Sequence, residues 1–210
     1  MIDQLLFVAA ALFSVVNPLG TVPIFVSLSA DDTSVQRNRN ALLTALNTAI
    51  ILIIAFFAGQ YVLKFFGISI DALRIGGGLI ILSSGFALLN GKFVKSKGLN
   101  KSRQKEAKRT DNIALTPLAM PMLAGPGSIS LLITVYKEHP GWHNNLAGVV
   151  AVLLVCVSIY LILGSAVFIV KKLGENGINA ISRIIGFIII ALGIEYISTG
   201  VLNLLKPILG

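Results

Sequence analysis

Six hydrophobic stretches recur along this chain, each long enough to cross a bilayer and separated from the next by a short polar break. They run approximately over residues 4–29, 41–63, 72–91, 113–136, 146–170 and 183–205. A helix of about 20 apolar residues spans the roughly 30 Å hydrocarbon core, because the backbone polar groups must be satisfied within the segment where no water reaches them. Of the 210 residues 55% are hydrophobic and 12% charged, with a mean hydropathy of +0.87. Soluble domains carry about 25% charged residues. The expectation is an all-α membrane protein with six transmembrane helices in a single transmembrane domain over residues 1–210. The start, MIDQLLFVAA, lacks the basic flank and small-residue cleavage site of a signal peptide and reads as the beginning of the first helix. The sole cysteine, Cys156, excludes an intramolecular disulfide and a multi-cysteine metal site. Neither a metal nor a cofactor is expected.

The net charge of +8 would suggest a nucleic-acid partner in a soluble protein. Here the surplus is concentrated in residues 92–112, where Lys92, Lys95, Lys97, Lys101, Arg103, Lys105, Lys108 and Arg109 face only Glu106 and Asp111. Counted with Arg37, Arg39, Lys171, Lys172 and Arg183, one side of the membrane holds thirteen of the seventeen basic residues. The positive-inside rule makes that side cytoplasmic and places both termini outside, on the periplasmic face of a bacterial inner membrane. The basic loop is read as a solvated topology signal, and the partner as the lipid bilayer, not nucleic acid.

The chain contains matched features at fixed separations. Arg74, Gly77, Ser84 and Gly91 correspond to Arg183, Gly186, Gly193 and Gly200 at a separation of 109; Pro18, Pro23 and Ser27 correspond to Pro121, Pro126 and Ser130 at 103. Residues 1–91 and 113–210 then form two three-helix repeats joined by the basic loop. An odd number of spans per repeat inverts the second half, giving a 3+3 inverted-topology repeat. The small residues spaced by seven also form a stripe that admits close helix packing.

Two motifs concentrate the helix breakers. VVNPLGTVPIF, residues 15–25, and LAMPMLAGPGSIS, residues 118–130, fall near the middle of helices one and four, and those helices hold five of the seven prolines. Proline removes an amide hydrogen and clashes with the preceding turn, while glycine lets the backbone leave helical geometry, so both helices are expected to break near the midplane. A broken backbone at membrane depth must be buried in protein or line an aqueous cavity. Half-helix N-termini suit a carboxylate and loose carbonyls suit an ammonium group or a cation, so an amino-acid zwitterion matches both. Asn17, Thr21, Thr116, Ser128 and Ser130 add side-chain hydrogen bonding near the breaks.

The segments NPLGTVPIFVSLS and TPLAMPMLAGPGSIS resemble the paired signatures of the MarC family of six-helix membrane proteins, and the resemblance spans essentially the whole chain. That family is grouped with small neutral amino-acid transporters of the SnatA type and, more distantly, with LysE- and TerC-like exporters. The resemblance implies substrate handling by Asn17, Pro18, Gly20 and Pro23 in the first motif. In the second it implies Pro117, Pro121, Gly125, Pro126, Gly127 and Ser128.

Glu195 is the one carboxylate well inside an expected span. It reads either as a proton or amine acceptor in a cavity, or as a shallow group paired with Lys137 or Lys206. Asn47 and Thr44 on helix two are further candidates for the cavity wall, Asn47 with Glu195 for proton or ion coupling. Arg74 and Arg183 read as interfacial residues whose heads snorkel, and Trp142 as an interface anchor. No ATP-binding motif and no HExxH is present, and His139 and His143 lie outside the expected spans, so no enzymatic activity is expected. The expected function is secondary transport of a small solute, a small neutral amino acid, by alternating access around helices one and four, with H+ or Na+ as candidate coupling ions. A channel, an exporter of another solute and a membrane scaffold are the alternatives, and a homo-oligomer fits any of them.

Overall fold

The computed structural model describes residues 2–90 and 113–209. The basic segment 92–112 lies outside the described residues, as do the side chains of Pro117 and Pro121. Among the described residues all regular structure is helical: α1 (Ile2–Val16), α2 (Pro18–Leu28), α3 (Ser34–Phe65), α4 (Ile70–Leu89), a wide irregular segment α5 (Ala114–Leu123), α6 (Pro126–Glu138), α7 (Trp142–Gly164) and α8 (Ala166–Leu209).

Local chemistry sets several of these boundaries. Thr33 starts α3 with a capping box, its hydroxyl accepting from the Gln36 amide at 3.3 Å while Gln36 Oε1 accepts from the Thr33 amide at 2.9 Å. Ser69 starts α4 by accepting from the Ala72 amide at 3.0 Å. The helix is interrupted between the fifth and sixth expected stretches: α8 holds two helical pieces that meet at Gly174 (φ 63, ψ 176), a backbone glycine adopts without a Cβ penalty, and the membrane-length piece runs over Asn179–Lys206.

Among the described residues four helical stretches are individually long and apolar enough to cross a membrane: Ser34–Phe65, Ile70–Leu89, Trp142–Gly164 and Asn179–Lys206. α1 and α2 qualify together as one span bent by 40°. The 20 residues of α4 rise about 30 Å, matching the hydrocarbon thickness. Large apolar side chains such as Leu6, Ile54, Phe168 and Phe187 stand exposed along the outside of the bundle, where lipid covers them.

The principal core lies among α1, α2, α3, α6 and α7, with Leu12, Phe25, Leu52, Phe56, Leu132 and Ile159 all fully buried. Phe56 packs edge-to-face on Tyr136 with ring centroids 5.1 Å apart. A second, smaller core joins α4 to α8 through Ile81, Leu88 and Ile189. These two helices run antiparallel with backbones nearly touching. A Cβ placed at Gly193 would lie 2.9 Å from the Gly78 carbonyl oxygen, one at Gly186 3.0 Å from that of Gly85, and one at Gly200 2.9 Å from that of Asp71. The seven-residue stripe is therefore a packing seam, since any larger residue would force the helices apart.

Candidate functional site

The first break is a single residue. α1 closes with the Asn17 amide donating to the Phe13 carbonyl at 2.9 Å. Pro18, which has no amide hydrogen, then begins α2 at the position where none is needed. Between them Asn17 takes a left-handed conformation (φ 48, ψ 68), one that asparagine tolerates because its short side chain bonds locally. Its Oδ1 accepts from the Gly20 amide at 3.1 Å, and its carbonyl accepts from the Thr21 hydroxyl at 3.3 Å. Asn17, Pro18, Gly20 and Thr21 are all buried, and Pro23 half-buried. With Oδ1 committed to Gly20, the Asn17 Nδ2 group is buried with no hydrogen-bond partner among the described residues. An unpaired buried donor costs about 1–3 kcal/mol.

The second break is ten residues wide. Thr116 (φ −128, ψ 120) and Met120 (φ −128, ψ 127) both leave the helix, and each immediately precedes a proline, whose ring disfavours helical geometry at the residue before it. Between these extended residues the chain turns too loosely for α-helical bonding: the Leu118 amide donates to Ile113 at 3.4 Å and the Ala124 amide to Ala119 at 2.8 Å, both five residues back. α6 then starts at Pro126 behind Gly125, which offers no side chain to cap it. The Ser128 hydroxyl turns back to donate to the carbonyls of Leu123 at 3.1 Å and Gly125 at 2.9 Å.

The two breaks adjoin. A Cβ at Gly127 would lie 3.3 Å from Val15 Cγ1, at the end of α1, and 3.0 Å from Ile81 Cγ1, in the middle of α4. Around this contact a cavity of about 50 Å³ opens, walled by Gly125, Pro126, Gly127 and Ser128 on one side and by Val15, Ile81 and Ser84 on the other. A water needs about 10–15 Å³ of such space, so the cavity admits a few waters and not an amino acid. The amides of the first turn of α6 have no intrahelical acceptor, and the positive end of the helix lies on the cavity wall. That wall suits an anionic group.

Of the residues singled out in the sequence, the structure gathers Gly125, Pro126, Gly127 and Ser128 at the cavity, and Asn17, Pro18, Gly20 and Thr21 at the neighbouring break. Thr116 is exposed, Asn47 is half-buried on α3 away from the cavity lining, and Glu195 is exposed on α8. Thr44 is buried and donates to its own helix at Asn40. The prolines that restart the two helices are Pro18 and Pro126, 108 positions apart, whereas the sequence pairs Pro18 with Pro121.

Sequence reasoning misses Ile81, an apolar residue with no chemical signature, and has Val15 and Ser84 only as the edge of the first motif and a member of the packing stripe. It also misplaces Arg74. That side chain is 7% exposed and forms an ion pair with Glu138 at the end of α6, so it is buried in the bundle and does not snorkel to an interface.

Residues 2–205 match the family described as MarC family integral membrane protein. The chain is 38% identical over 207 residues to the inner membrane protein MarC of Citrobacter koseri, covering 93% of this chain and 92% of that one. It is 37% identical over 207 residues, with the same coverage, to the inner membrane protein MarC of Salmonella typhimurium. To the membrane protein YhcE of Escherichia coli it is 36% identical over 198 residues, covering 94% and 92%. No solved structure matches the chain.

Proposed function

The chain belongs to the MarC family of integral membrane proteins, and from that premise we propose that it is a secondary transporter of a small neutral amino acid, acting without catalysis in a bacterial inner membrane. The observation that carries this reading is the cavity where the α5–α6 break meets the end of α1. Its wall presents the amides of Gly127 and Ser128 at a helix N-terminus, and the Asn17 side-chain Nδ2 stands buried and, among the described residues, unused at the adjoining break. A solute carboxylate satisfies donors of this kind, and no lipid chain can. The cavity is too small for an amino acid, so binding requires the two halves to move apart.

The packing supports a division into two inverted halves, α1–α4 and α5–α8, with the first and fourth membrane spans broken. α1 and α2 pack on α7 as α5 and α6 pack on α3; α2 packs on α8 as α6 packs on α4; α3 meets α7 and α4 meets α8. Exchanging the halves maps these contacts onto one another, while those of α1 with α8, α6 with α7 and α7 with α8 have no counterpart of similar extent. Rocking one half against the other opens the cavity first to one side and then to the other, driven by a gradient of H+ or Na+ or by the solute's own. The basic loop places both termini outside under the positive-inside rule.

Purified protein in liposomes loaded with alanine should exchange it for labelled external alanine, with a rate that saturates and that glycine and serine compete for. Flux that rises linearly with concentration identifies a channel. Absence of both exchange and binding for all three amino acids sinks the reading and leaves a scaffold role.

A further inference from the structure

The start of α4 and the end of α6 hold a buried guanidinium that the cavity does not use. Arg74 pairs with Glu138, and Asp71 Oδ1 lies 3.8 Å from its Nη1. Asp71 is itself fixed, accepting from Asn203 Nδ2 of α8 at 3.1 Å. A charge in the interior of a membrane bundle is costly unless paired, and here two carboxylates share the work unequally. The one on α4 is tied to α8. Glu138 sits at the last residue of α6 with its side chain 34% exposed, free to swing toward solvent.

Below this pair, α4 and α6 run antiparallel down to the cavity. Gly127 faces Ile81, and the Ser130 hydroxyl donates to the Leu73 carbonyl at 3.2 Å; a Cβ on Gly77 would lie 2.0 Å from Ser130 Oγ. Four residues further along the same face of α6 comes Thr134, and four beyond that Glu138. Thr134 is 1% exposed, yet its hydroxyl has no hydrogen-bond partner among the described residues. A seam that runs from the cavity to the surface thus carries an unused buried hydroxyl one turn beneath the carboxylate that closes it.

At the same end of the bundle lies a basic cleft of about 540 Å³, lined by Gln60, Tyr61, Lys64, Ser69, Ile70 and Lys137 and by neither member of the pair, within the size range of small-molecule sites. Its two ammonium groups raise the concentration of anions at that end of the bundle.

We propose that Arg74 is a binding site for the carboxylate of a small solute and that Glu138 occupies it as a resident stand-in, holding the α4–α6 seam shut until a solute carboxylate takes its place. The proposal rests on the transport reading for the identity of the solute. The exchange substitutes one carboxylate for another on a guanidinium that Asp71 keeps in position, so Arg74 is never left uncompensated. Planar two-point pairing suits arginine to this role and lysine poorly.

The test uses a single reporter thiol, Thr134→Cys in a Cys156→Ser background, in purified protein in nanodiscs, and reads its rate of modification by a charged thiol reagent. Glu138→Gln should raise that rate at least tenfold, and the double exchange Arg74→Glu with Glu138→Arg should return it to within threefold of the parent. Alanine and lactate should accelerate modification in the parent severalfold, whereas alaninamide and lactamide should not. Equal rates in the parent and Glu138→Gln overturn the proposal. So does a double exchange as fast as the single variant, or a response to the amides equal to that to the acids. If Glu138→Gln does not fold, the double exchange and the acid-against-amide comparison still decide. Acceleration by lactate and alanine, combined with no alanine exchange in liposomes, upholds the carboxylate site and removes the amino-acid cargo; alanine exchange without acceleration does the reverse.

Discussion

The two breaks use proline alike and hydrogen bonding differently. At the first, one asparagine turns the chain and caps the next helix from its own side chain, so α2 restarts with its Gly20 amide satisfied. At the second, two residues held extended by the prolines that follow them open a loose ten-residue segment, and α6 restarts behind a glycine that caps nothing. The first break satisfies its restarted helix locally and serves as a bend that keeps one spare donor, Asn17 Nδ2. The second leaves the first-turn amides of α6 on a cavity wall, the surface that the transport reading uses for binding. Similar sequence motifs need not carry similar work; what decides is whether the local side chain satisfies the restarted helix.

The largest expected effect tests the second break. Gly127→Val adds a Cβ against Ile81 and Val15, and two methyl groups where the cavity now lies. Alanine exchange should fall at least a hundredfold, about 2.7 kcal/mol of lost transition-state stabilisation. Membrane insertion should be unchanged, because the change adds no charge and leaves the basic loop alone. Exchange within threefold of the parent would place the binding surface elsewhere and erase the contrast between the breaks.

At the first break the expected effect is on stability. Asn17→Ala removes the cap and puts a residue with no local hydrogen bond into the left-handed region, which together cost about 2 kcal/mol. Asn17→Asp keeps the acceptor for the Gly20 amide and should retain most of that stability. Unfolding in mild detergent, followed by the drop in midpoint temperature, ranks the variants. A bend predicts that Asn17→Ala is the least stable of the set. If Asn17→Asp is as unstable as Asn17→Ala, the cap is not what holds the bend.

How much of this was legible in the sequence follows from the range of the interactions involved. Membrane-crossing stretches were readable because their signal is the composition of a contiguous window, and α3, α4, α7 and residues 179–206 fall where apolar runs stand. Irregular backbone at Thr116 and Met120 has a nearest-neighbour cause, the following proline, and was equally open to reading. The seven-residue stripe announced a packing seam, though not that Gly78 would meet Gly193. By contrast, the pairing of Arg74 with Glu138 joins residues 64 positions apart, and an arginine at a helix start looks the same whether its head reaches water or a carboxylate. The choice of Asn17 for the left-handed residue instead of Gly20 was also hidden. Glycine is the freer residue, but only asparagine at that position can both turn the chain and return a hydrogen bond to it.

Within the second break the hydroxyl of Ser128 offers a finer test. It is the side chain that ties α6 back to the loose segment, through the Leu123 and Gly125 carbonyls. The Gly125 carbonyl also accepts from the Ile129 amide at 3.1 Å, so Ser128→Ala leaves mainly the Leu123 carbonyl short of a partner. The expected cost is about 1 kcal/mol, half that of Asn17→Ala, read in the same unfolding series. A larger loss than at Asn17 would mean that the second break, and not the first, depends on side-chain closure, which reverses the comparison.

Thr116 sets the lower end of the scale. Its motif position makes it a candidate binding residue, and its backbone is one of the two that leave the helix, but its side chain is exposed. The extended geometry there comes from Pro117 and not from the hydroxyl, so Thr116→Ala keeps the cause of the break. Stability should change by less than about 0.5 kcal/mol, and alanine exchange by less than twofold. A tenfold loss of exchange at unchanged stability would show that Thr116 reaches the solute when the two halves rock apart, and the binding surface would then extend along the whole of the loose segment instead of ending at Gly125.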